Sequence, residues 1–205
     1  MIAALLFFVL QALAFVALRG LELSPVRMVS FAFAIAGGVT YGLMRFFYWR
    51  LRTAGVPRIL DAGAPRALLL GLAGGGAAAV CGLAYIAIAS WLDLLPQLRL
   101  PDDKTQTPLI WLGLLAVLAA PVFEEFIFRG LIFGGLRRTY GVTASMLASA
   151  AIFAIIHPPL SVVPVFLMAL CAAYVYERSR MLIAPMLVHA IYNAVVLGVQ
   201  WGFMQ

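Results

Sequence analysis

Ala119-Ala120-Pro121-Val122-Phe123-Glu124-Glu125-Phe126-Ile127-Phe128-Arg129 decides how this chain is read. Two adjacent carboxylates, and a guanidinium four residues after the second, stand in a stretch that is otherwise apolar. An ionisable group at bilayer depth costs about 2.5–3.5 kcal/mol on insertion scales, so it marks function and calls for a partner. Glu125 and Arg129 are spaced i, i+4 and share one helix face, while Glu124 points about 100° away from Glu125. Pairing along the helix occupies Glu125 and leaves Glu124 free for chemistry.

The rest of the chain says that this stretch lies in a membrane. Of 205 residues, 65% are hydrophobic and 11% charged, more apolar side chain than a water-soluble domain of this length can bury. Apolar runs near the spanning length can be marked at 2–18, 28–49, 67–95, 108–138, 142–157, 160–176 and 181–203. No run alternates polar with apolar residues, and an open sheet edge is not tolerated in lipid. The expected fold is therefore all-α: a polytopic transmembrane bundle of about seven spans, its polar site built from the C-terminal four helices. Pro121 should interrupt the fourth span by removing a helical hydrogen bond. The first run lacks a basic flank and a clear cleavage site and reads as a retained span. The chain reads as one domain, 1–205, with residues 1–100 as accessory helices and 108–200 as the part carrying chemistry.

The net charge of +6 would suit nucleic acid, but the charges fill short gaps between apolar runs. Anchoring beside anionic lipid headgroups accounts for them, with no nucleic-acid partner. Arg50, Arg52, Arg58 and Arg66 fill one gap, Arg137 and Arg138 another, Arg178 and Arg180 a third. The alternate gaps hold Arg19 and Arg27, then Arg99 and Lys104 beside Asp102 and Asp103. This alternation predicts a multi-pass protein of the cell (inner) membrane with a cytoplasmic N-terminus. Cys81 and Cys171 fit no metal spacing and read as small apolar residues. Gly71 and Gly75, extended by Gly74 and Gly76, predict close helix packing.

Only two histidines are present, His157 and His189, and Asn193 follows His189 by four residues on the same helix face. Counted from the basic rims, Glu124 lies about 21 Å deep, His157 about 22 Å, and His189 and Asn193 about 14 and 20 Å. The helices can thus close around one polar pocket. Taken singly, a buried histidine is more often a satisfied core residue, and Glu125 with Arg129 can simply lock a helix.

Glu-Glu-x-x-x-Arg at 124–129, Phe-x-x-x-His at 153–157 and His-x-x-x-Asn at 189–193 together resemble the three signature motifs of the CPBP family. These are the CAAX-protease and bacteriocin-processing membrane proteins, also called ABI or Rce1-type glutamic intramembrane proteases. The resemblance covers about 108 to 200. It implies a glutamate-activated water as nucleophile, with no cofactor and no metal. Glu124 would be the general base, and His157 would hold and polarise the water. His189 and Asn193 would donate to the oxyanion, with Glu125 and Arg129 supporting the base. The substrate would be a membrane-anchored or hydrophobic peptide or protein.

Other classes stay open on the residues alone. Two histidines and a glutamate could bind zinc in a membrane metalloprotease, although H-E-x-x-H is absent. A non-catalytic immunity or scaffolding protein would need none of the motif residues. A proton-coupled transporter would show inverted repeats and paired broken helices.

Overall fold

The computed structural model describes residues 2–51, 57–94 and 106–202. Its helices follow the apolar runs. They are α1 (Ile2–Leu18), α2 (Pro25–Arg50), α3 (Ala64–Trp91), α4 (consecutive helical segments from Gln106 to Leu136), α5 (Val142–Ile155), α6 (Val162–Ser179) and α7 (Ile183–Gly202). By length and composition, α2, α3, α4 and α6 can cross a membrane, while α1, α5 and α7 are shorter apolar helices. The chain is a helical membrane bundle. Its outer surface is apolar, with Leu69 68% and Ile155 77% exposed, which suits lipid rather than water as the surrounding solvent.

Local chemistry sets the helix ends. Ser24 caps α2, accepting from the Arg27 N–H, and Pro25 takes the first-turn position where its missing N–H costs nothing. The Pro158-Pro159 pair ends α5 earlier than the expected position 157. Proline disfavours helical backbone in the residue before it, so the helix stops at Ile155 and His157 closes a final turn onto the Ala154 carbonyl. Arg180 takes a left-handed conformation, φ 56°, and reverses the chain from α6 into α7. There the 57–61 segment is laced on, with the Leu182 N–H donating to the Arg58 carbonyl at 2.8 Å.

Small residues set the closest packing, as the glycine spacing predicts. A β-carbon at Gly71 would stand 2.8 Å from the Ala184 carbonyl oxygen of α7, and one at Gly75 would stand 2.6 Å from Ile191. Gly82 continues this contact against Tyr192, whereas Gly76 faces open space. α4 lies between α2 and α7 and also meets α5 and α6. Phe126, Phe133, Phe153 and Leu182 fill the fully buried core.

The basic gaps gather at one end. Arg58, Arg138 and Arg180 line a single cavity of about 510 Å3, and Arg137 pairs with Glu177 of α6 at 3.2 Å. Arg27 lies near the beginning of α4, its guanidinium 5.8 Å over the Trp111 ring. Arg52, Arg99, Asp102, Asp103 and Lys104 lie outside the described residues.

Candidate active site

Pro121 shapes the middle of α4 by altering its hydrogen-bond register rather than by simply leaving one bond unmade. The helix widens into π turns over Leu114–Ala119 and again over Phe126–Phe133, on either side of the α-helical turn Ala120–Glu125. The Ala120 N–H reaches back to the Leu115 carbonyl, so Ala116 loses its ordinary i+4 donor. The next residue in the widened register is Pro121, which has no N–H to give. Asn193 of α7 meets that need: its Nδ2 donates to the Ala116 carbonyl oxygen at 2.6 Å.

The acidic pair divides as its helical phase requires. Glu125 and Arg129 are fully buried, with Arg129 Nε 3.0 Å from Glu125 Oε2. This contact is an ion pair without hydrogen-bond directionality, since neither atom has a hydrogen-bond partner. The guanidinium is held further by Nη2 donating to the Ala169 carbonyl at 3.1 Å and by the Phe153 ring, 4.7 Å from Cζ. The other Glu125 oxygen accepts from His189 Nδ1 at 2.9 Å. That bond sets the ring's orientation and leaves Nε2 3.9 Å from Glu124 Oε2. At this separation one water can bridge the two groups.

Glu124, His157, His189 and Asn193 line one cavity of about 270 Å3 between α4, α6 and α7, walled by apolar residues such as Leu115, Val165 and Met168. His157 sits past the end of α5, with Nδ1 donating to the Phe153 carbonyl at 2.8 Å, so Nε2 is the nitrogen left for a ligand. The structure therefore brings together all six residues singled out in the sequence. Four face the cavity, and Glu125 and Arg129 stand behind Glu124 and His189. Asn193 differs from expectation in one respect. One of its N–H bonds is committed to Ala116, leaving one for a developing oxyanion.

Sequence reasoning missed three features. Phe153, read only as the first letter of a motif, has its ring 4.7 Å from His157, 5.6 Å from His189 and under the Arg129 guanidinium. Its helical spacing from His157 was the available signal. The Ala116 carbonyl gave none. The walls also extend beyond the C-terminal four helices, because Phe33 of α2 lines this cavity too. A second cavity of about 190 Å3 shares Phe33, Glu124 and His157 with the first and is closed by Phe7, Phe8 and Gln11 of α1. Among the described residues, no three His, Cys, Asp or Glu side chains are grouped to hold a metal ion.

Residues 106–195 match the family model described as "Type II CAAX prenyl endopeptidase Rce1-like". The chain is also similar to the Bacillus subtilis protein named "Putative membrane peptidase YdiL", with 30% identity over 88 residues. That alignment covers 42% of this chain and 36% of the relative. No solved structure matches. The matched segment runs from the start of α4 into α7 and contains all six candidate residues.

Proposed function

We propose that this chain, whose residues 106–195 match the Rce1-like CAAX prenyl endopeptidase model, is a glutamic intramembrane endopeptidase of the CPBP type. Its substrate is a membrane-associated protein or apolar peptide precursor. The observation that carries this reading is the convergence of Glu124, His157, His189 and Asn193 on one cavity in the bundle.

In the reaction, Glu124 removes a proton from a water held against His157 Nε2, and the water oxygen bonds to the scissile carbonyl carbon. The resulting oxyanion accepts from the remaining Asn193 N–H, with His189 Nε2 beside it. A preorganised donor of this kind contributes about 3–4 kcal/mol in a dry site. The C–N bond then breaks, and the proton on Glu124 passes to the leaving amine. Glu125 stays between Arg129 and His189 and fixes the imidazole.

The arginine-lined end supports a cytoplasmic assignment for the loops holding Arg58, Arg138 and Arg180, and with it a cytoplasmic N-terminus. Glu124→Ala and His157→Ala should each abolish cleavage of a membrane-anchored substrate while the protein still accumulates in membranes. Comparing the membrane proteomes of a deletion strain and a Glu124→Ala strain should show one uncleaved precursor in both. Full proteolysis by purified Glu124→Ala would sink the mechanism. Activity lost to a chelator and restored by zinc would replace it with a metalloprotease.

A further inference from the structure

α1 contains a single polar side chain, Gln11, in a helix otherwise made of Ala, Ile, Leu, Val and Phe. A primary amide at membrane depth is stable when something satisfies its donor and acceptor, and in most membrane bundles a neighbouring helix does so. Here the Gln11 amide has no hydrogen-bond partner among the described residues. It is half-buried and faces the 190 Å3 cavity, whose other polar side chains are Glu124 and His157. The remaining wall is apolar and largely aromatic, with Phe7, Phe8, Phe33 and Phe128 among its members.

The placement of the two cavities adds a direction. They share Phe33, Glu124 and His157, so these two polar side chains stand at the junction of a two-armed space. An extended peptide laid across both arms presents one bond to Glu124 and one flanking residue to Gln11. A carboxamide offers a donor and an acceptor together, the complement of the C=O and N–H on one edge of an extended residue. α1 itself packs chiefly on α2, where Phe7 meets Phe33 edge to face at 5.0 Å, and it touches α4 only slightly.

We propose that Gln11 is a substrate-binding residue that pairs with the backbone of an extended apolar peptide, making α1 one wall of the substrate channel beside Glu124. This rests on the protease reading above. It gives the enzyme a preference for an apolar residue in the aromatic arm, with that residue held by its main chain as well as its side chain.

The test uses the full-length protein in lipid nanodiscs with an internally quenched apolar peptide centred on Phe-Leu. The same peptide is also made with each backbone nitrogen methylated in turn. Gln11→Met keeps the length and suits the membrane but removes both hydrogen-bonding groups. KM for the parent peptide should rise about tenfold, with kcat changed by less than about twofold, as expected for lost uniform binding. One methylated peptide should be a poor substrate for the wild-type protein yet equal to the parent for Gln11→Met. Unchanged KM with the same methylation pattern in both proteins would overturn the assignment, and hydrolysis that vanishes in Glu124→Ala would leave the protease reading standing. Hydrolysis that persists in Glu124→Ala, or is absent from the wild-type protein, would remove that reading and the role of Gln11 with it.

Discussion

Two arginine–glutamate clusters, Arg129–Glu125 in the middle of the bundle and Arg137–Glu177–Arg180 at its basic end, use the same chemistry in different dielectrics. In the first, both side chains are fully buried and neighbours supply the rest of the electrostatic support. In the second, one carboxylate is shared by two guanidiniums, at 3.2 Å to Arg137 and 2.6 Å to Arg180, and all three groups reach solvent. Water replaces a lost partner at the rim and cannot do so in the core. The buried cluster therefore reports on integrity and chemistry together, while the rim cluster reports on little beyond the local turn.

The comparison breaks most sharply at Arg129. Arg129→Ala leaves the Glu125 carboxylate buried with His189 as its remaining hydrogen-bond partner, and should cost about 3–5 kcal/mol of stability. Thermal unfolding in detergent measures this. Combining it with Glu125→Leu removes the orphaned charge, so the double variant should recover most of that loss. It should still be inactive, because His189 loses the acceptor that orients it. A double variant no more stable than Arg129→Ala would show that the pair is not the main term.

A smaller effect belongs to the link between α7 and α4. Asn193→Leu leaves the Ala116 carbonyl without the donor that Pro121 cannot supply, a loss of about 1–2 kcal/mol. In that background, Pro121→Ala restores an N–H one residue beyond Ala120 and should return part of the stability. A double-mutant cycle reads this as coupling between the sites. Additive effects would mean that Asn193 does not compensate for Pro121. Activity should stay low in both backgrounds, since the second Asn193 N–H is lost as well.

How far the sequence could be read follows from where information is dense. Helix positions were legible because apolar runs and the gaps between them are long, and the convergence of the six candidate residues because strongly polar groups at bilayer depth are few. The split between Glu124 and Glu125 followed from helical phase alone. The π turns left no trace, because widening from i+4 to i+5 bonding changes backbone register without requiring a composition. The part that α1 plays was hidden for a different reason. In lipid, a phenylalanine facing another helix and one facing acyl chains look alike in sequence, so Phe7 and Phe33 could not announce that they wall the site. Gln11 was the one residue that could have done so.

The smallest effect is expected at the rim, and it tests whether the contrast between the clusters is one of dielectric. Arg137 is 23% exposed at its side chain, and Glu177 keeps Arg180 when Arg137 is removed. Arg137→Ala should cost less than about 1 kcal/mol, and the difference from wild type should shrink as salt is raised from low to physiological strength. The Arg129→Ala defect should hardly move over the same range, because ions do not reach a fully buried pair. If the two defects responded equally to salt, the buried pair would have to be reached by water, and its assignment as a dry support for Glu124 would fail.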